Sequence, residues 1–219
     1  FSRSTDRFNL DELTRELGER FETMGVALKF YSCVGSNHTT LDAIRLMQDR
    51  HPFGADDVEK FVIHGSQVTM DHVGWKYKPQ GLTSAQLNLP FCIATFMLEG
   101  DCFVEQFPED CVADPARIAY ADKVEVHHDA EITAKGSKFR HTVRAQVHLK
   151  DGTVLEETVE SARGSEKRFA TTEQVVEKFE KLAQHAIPDA QAHQLRDAIL
   201  GLDDLKDAGE IARLLVVQK

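Results

Sequence analysis

Lys29, Tyr31, Cys33 and His38 fall within ten residues, in the run Lys29-Phe30-Tyr31-Ser32-Cys33-Val34-Gly35-Ser36-Asn37-His38. An ammonium, a phenol, a thiol and an imidazole this close together could bind an anion and move a proton. Lys29 can pair with a carboxylate, or act as a base where desolvation lowers its pKa. His38 suits proton transfer near neutral pH, and Tyr31 can donate a hydrogen bond. The elements needed to position these groups are legible nearby. Residues 26–30 read as a short strand, and Ser32, Gly35, Ser36 and Asn37 are turn formers. Leu41, Ile44 and Met47 then recur at helical spacing, which predicts a helix over 39–50 that stops before His51-Pro52. A strand end and a helix N-terminus would converge there, where free backbone N–H groups favour an anion. Strand alternation would put Lys29 and Tyr31 on one face, with Phe30 and Ser32 opposite. The plainer alternative is an ordinary strand-to-helix connection with a solvated lysine and a capping histidine.

Two further blocks accompany this run. One is Pro79-Gln80-Gly81-Leu82-Thr83-Ser84-Ala85-Gln86-Leu87-Asn88-Leu89-Pro90-Phe91, continuing to Leu98-Glu99-Gly100-Asp101. The other is Ala162-Arg163-Gly164-Ser165, followed by Glu177-Lys178-Phe179. Together and in this order, the three blocks resemble the MmgE/PrpD family, which includes 2-methylcitrate dehydratases, cis-aconitate decarboxylases and iminodisuccinate epimerases. The first is similar to that family's Lys-x-Tyr-Pro-x-Cys…His segment. The chain departs from the pattern at Ser32 and Glu166, where proline is common, and at Asn88, where serine is usual.

The resemblance implies a lyase that needs no cofactor and acts on a small di- or tricarboxylate such as 2-methylcitrate. Lys29, His38 and Tyr31 would then be catalytic, and Lys29, Gln86 and Arg163 would bind substrate. The shared hard step is loss of a proton beside a carboxylate, which needs positioned cations and a base within reach. Such a step requires no covalent intermediate, so a nucleophilic Cys33 is not expected. Family members are much longer and begin with an all-helical domain. The resemblance therefore also implies a C-terminal part that works as a homodimer with that helical domain of the same enzyme.

Composition bounds the alternatives. Of 219 residues, 36 are acidic and 26 basic, for a net charge of −10. That balance argues against nucleic acid or an anionic membrane as partner, although a pocket needs only a few local cations to hold an anionic substrate. No apolar run approaches the roughly 20 residues of a membrane span; residues 87–98 come nearest and are broken by Asn88 and Pro90. The start of the chain shows no secretory signal pattern, so a cytoplasmic location with reduced thiols is expected. The spacings of Cys33, Cys92, Cys102 and Cys111 match no common zinc or iron–sulfur pattern. His127 and His128 would point to opposite faces of a strand, so no metal site is expected either.

The remaining elements follow from pattern. Residues 9–24 read as a helix with Leu10, Leu13, Leu17 and Phe21 on one face, capped by Asn9 and ended by Gly25. Residues 58–68 read as a strand, 71–82 as a loop, 83–98 as a buried helix and 113–122 as a short helix with Pro115 in its first turn. Strands are expected over 124–128 and 139–149, with Asp151-Gly152 turning the chain into 153–160. Thr171-x-x-Gln174 is a capping box for an amphipathic helix, with two shorter helices near 190–200 and 205–217. The expected class is α+β: an antiparallel-rich sheet with helices on one face, followed by a helical tail. Residues 1–25 would end a preceding helical region, 26–165 form the α+β domain, and 166–219 pack back on the helical domain. An apolar face near Val216 and Val217 would serve that contact.

Two classes of function remain after this reading. In the first, the chain carries the lyase site, with epimerase or decarboxylase chemistry as close rivals of dehydration. In the second, it is a non-catalytic ligand-binding or dimerisation module. Lys29 and His38 facing one cleft would favour the first, and splaying apart onto solvent the second.

Overall fold

A computed structural model describes residues 8–216. Val217 therefore lies outside the described residues. The chain divides into two compact units between Arg168 and Phe169.

The first unit is built on a four-stranded sheet: β1 (Val58–Gly65), β2 (Val124–His128), β3 (Val143–Leu149) and β4 (Val154–Val159), in spatial order β2-β1-β3-β4. The class is α+β as expected, but the sheet is mixed. β1 runs parallel to β2 and antiparallel to β3, and β3 and β4 form the Asp151-Gly152 hairpin. The parallel pair arises because the long segment between β1 and β2 returns the chain to the starting end of the sheet. Along β1 and β3 the alternation is strict. Phe61, Ile63, Ala145 and Val147 are completely buried, while Val62, His64, Arg144 and Gln146 are only partly covered on the other face.

Helix α1 (Gly35–Arg50) packs on β3 and β4 and against α4 (Leu89–Glu99). Between them in sequence lie α2 (Gln67–His72) and α3 (Leu82–Leu87). The single helix expected over 83–98 is thus two. Asn88 leaves helical geometry, and its side chain caps α4 by accepting from the Phe91 N–H at 2.8 Å, with Pro90 in the first turn. The strand expected through residue 68 ends at Gly65, because Ser66 caps α2 instead. β3 begins at Val143, since residues 137–139 form a helical turn. α5 (Pro115–Ala121) and α6 (Ala130–Ala134) flank β2.

Residues 9–24 are not the expected helix. Asn9 does cap a short 3-10 turn over Leu10–Leu13, but Glu16 and Gly18 have positive φ and break the run before a second turn at Glu22–Gly25. Leu10, Leu13, Leu17 and Phe21 are all exposed. Helical periodicity stabilises a helix chiefly through the face it buries, and among the described residues that face is left exposed.

The second unit holds α7 (Thr172–Ala183), α8 (Asp189–Leu200) and α9 (Gly209–Leu214). The Thr171/Gln174 capping box is formed in both directions, at 3.3 and 3.1 Å. Leu200, Leu215 and Val216 are exposed within it.

Candidate active-site cleft

The path of the chain from Leu28 to Gly35 defines the site, and it is not the expected strand. Leu28 donates its N–H to the Gly164 carbonyl at 2.9 Å, and Ser32 donates to the Cys102 carbonyl at 2.9 Å. Each residue of the run answers to a different neighbour, so strand alternation does not apply. Lys29 is exposed, whereas both Phe30 and Tyr31 are buried.

Tyr31 therefore does not share a face with Lys29. Its hydroxyl donates to Asp42 Oδ1 at 2.8 Å inside the core, and its ring lies edge-on to His38 at 5.2 Å. Burial, and then the Asp42 charge, push its phenol well above the ordinary range. Tyr31 positions its neighbours and does not face the cleft.

Asp42 was not singled out by sequence, yet it is the hub. Though only 3% exposed, it also accepts from the Arg163 N–H at 2.6 Å and from the Arg168 guanidinium at 2.9 Å. One buried carboxylate thus ties the α1 helix to the segment after β4. Gly164 completes the junction. Its φ is +83°, and a Cβ there would sit 2.6 Å from the Leu28 carbonyl oxygen. Only glycine fits this approach.

Between these segments lies a cavity of about 450 Å³. Lys29, His38, Thr39 and Arg163 line it, together with Lys138, Arg140, His141, Ser165 and Lys167. Its basic side chains outnumber the two acidic ones, Glu160 and Glu166, and Lys135 pairs with Glu160 at 3.1 Å. A chain of net charge −10 has thus gathered cations around one hollow. Several wall atoms are buried without a hydrogen-bond partner among the described residues: Thr39 Oγ1, His141 Nδ1, Arg163 Nε and Ser165 Oγ. Such atoms suit a polar, negatively charged guest.

His38 is 3% exposed and its Nε2 lies 3.3 Å from the Cys33 carbonyl, an acceptor that fixes Nε2 as the donor. Burial lowers its pKa to about 4, so the imidazole is neutral at physiological pH. It is not the near-neutral titrating group that its residue type suggested. Arg163 stacks its guanidinium on the Phe30 ring at 4.3 Å while lining the cavity. Gln86 stands behind the loop instead. Its side chain donates to the Ser32 carbonyl at 2.9 Å and its own carbonyl accepts from Val34, so it braces the run that carries Lys29.

The cysteine spacings gave no reason to expect a metal, yet the fold collects Cys33, Cys92 and Cys102 into one group of potential ligands. Tertiary contact made this set, which spacing along the chain cannot show. Among the described residues no helix is long and apolar enough to cross a membrane.

A fold with this cleft belongs to a known class. The MmgE/PrpD C-terminal domain model matches residues 31–204, and the chain is a member of the MmgE/PrpD family. Among curated proteins it is similar to the cis-aconitate decarboxylase-like protein oryM of Aspergillus oryzae, with 24% identity over 218 residues, covering 96% of this chain and 45% of that protein. It is also similar to a cis-aconitate decarboxylase of Aspergillus terreus, with 25% identity over 214 residues, covering 94% of this chain and 43% of that protein. The chain spans less than half the length of these relatives.

Proposed function

We propose that this chain supplies the cationic wall of a lyase site for a small di- or tricarboxylate. The observation that carries the reading is that Lys29 and His38 line one cavity together with Lys138, Arg140, Arg163 and Lys167. This is the arrangement that favours a catalytic role over a dimerisation module. Substrate carboxylates would be held by the lysines and Arg163, and the charge that develops beside them would be stabilised by the same cations. His38 enters as a neutral hydrogen-bonding group. The similarity to cis-aconitate decarboxylases favours loss of carbon dioxide over the dehydration of 2-methylcitrate, and both begin from a similarly bound polycarboxylate. On this reading a helical domain of the same enzyme closes the cleft, and the complete enzyme is a homodimer.

Lys29 is the test. In the complete enzyme, assayed with cis-aconitate and with 2-methylcitrate, Lys29→Ala should lower kcat/KM by about tenfold to a hundredfold, the loss of one ammonium–carboxylate contact. Lys29→Arg keeps the charge without a usable base. Recovery by arginine assigns Lys29 to binding, and failure to recover, with the loss in kcat, assigns it to proton transfer. Unchanged kinetics in Lys29→Ala would refute the catalytic reading of the cleft.

A further inference from the structure

Cys33, Cys92 and Cys102 come from three segments: the loop before α1, the body of α4 and the turn that follows it. All are buried free thiols, and their sulfurs lie within 4.8 Å of one another. Among the described residues no other three histidine, cysteine or carboxylate donors converge this closely. An ion held in a plane by three sulfurs at zinc–thiolate bond length needs sulfur separations of about 4 Å. The thiols would have to close by less than about 1 Å to meet that geometry.

The surroundings fit ligation. The Asn37 side-chain amide donates to Cys92 Sγ at 3.3 Å, the type of outer contact that steadies a metal-bound thiolate. No carboxylate joins the group, so hard cations such as magnesium or calcium find no suitable donors.

We propose that Cys33, Cys92 and Cys102 form a binding site for a thiophilic d10 cation, zinc or cuprous copper, on the buried side of the Lys29–His38 loop. Three sulfurs satisfy cuprous copper. Zinc would add a fourth ligand; the backbone oxygens of Ala85 and Gln86 lie 3.6 and 3.7 Å from Cys92 Sγ. The site would brace the cleft from behind, because the Cys33 carbonyl anchors His38 and the Cys102 carbonyl anchors Ser32. It stands apart from the substrate reading and does not depend on it.

The test uses the full chain, reduced and loaded separately with zinc and with cuprous ion under anaerobic conditions. One equivalent should bind. X-ray absorption should find three sulfur neighbours, plus one lighter atom for zinc and none for cuprous copper. Cadmium should give a thiolate charge-transfer band that is lost in Cys102→Ser and kept in Cys111→Ser. A folded wild-type chain that takes up no equivalent of any of these ions would overturn the proposal. So would a metal shell of nitrogen and oxygen only, or a cadmium band that persists in a folded Cys102→Ser. If Cys102→Ser fails to fold, the sulfur count in the wild-type chain decides.

Discussion

Helices α1 and α4 pack against each other in one core, and both are buried almost all round. α4 does this mainly with Leu89, Phe91, Ile93 and Phe96, whereas α1 adds Asn37, His38, Thr39, Thr40 and Asp42 to its buried Leu41, Ile44 and Met47. Burying apolar area is favourable by itself, at roughly 25 cal/mol per Å². Burying an unpaired polar group costs about 1–3 kcal/mol. The polar side chains of α1 therefore cost stability that apolar burial in both helices offsets, and they do so beside the cleft. Asp42 is compensated by three hydrogen bonds, while Thr39 Oγ1 and Asn37 Oδ1 have no partner among the described residues. Apolar burial here supports the fold, and His38 and Thr39, among the buried polar residues of α1, reach the cleft.

Three substitutions can break or sharpen this contrast. Phe91→Ala should have the largest effect, lowering unfolding free energy by about 3–5 kcal/mol through a cavity in the core. Urea denaturation measures it, and the folded fraction should keep its kcat/KM. Loss of activity at unchanged stability would place α4 in the site. Asp42→Ala should cost about 2–3 kcal/mol, discounted because the Arg168 side chain is 38% exposed. Unlike Phe91→Ala, it should also abolish turnover in protein that is still folded, since Tyr31, Arg163 and Arg168 lose their common anchor. Circular dichroism beside the assay separates the two effects. Asn88→Ala should have the smallest effect, about 0.5–2 kcal/mol for a lost helix cap. It should fall near the upper end, because the Asn88 amide also donates to the Trp75 carbonyl at 2.6 Å. A larger loss would mean that the α3–α4 break is itself part of the cleft.

The same contrast explains what could be read in advance. The β3–β4 hairpin, the Thr171 capping box and the Pro115 helix start were legible because each rests on contacts between sequence neighbours. Lys29, His38 and Arg163 were marked by motif, and all three line the cavity. Asp42 carries no such signal: it sits one position from Leu41 in an amphipathic helix, where a solvated carboxylate is the ordinary outcome. Arg140 read as part of the polar half of a strand and Lys138 lay just ahead of it, and the turn at 137–139 brings both to the cleft. Leu10, Leu13, Leu17 and Phe21 misled for the opposite reason. Their period is helical, but the helix needs a partner surface that the described residues do not provide.

The bonds from Asp42 to Arg163 and Arg168 join residues 121 and 126 positions apart. Closing a loop that long costs about 3 kcal/mol more entropy than closing a hairpin turn. The docking of α1 on β4 spans a similar separation, so the Asp42 bonds form with it, and contacts of such separation slow folding. Helices held by near neighbours can form before this closure. An ensemble with full helical signal can hold molecules in which Gly164 has not yet closed on Leu28. For a newly synthesised chain, gaining helices and gaining the cleft are then separate events.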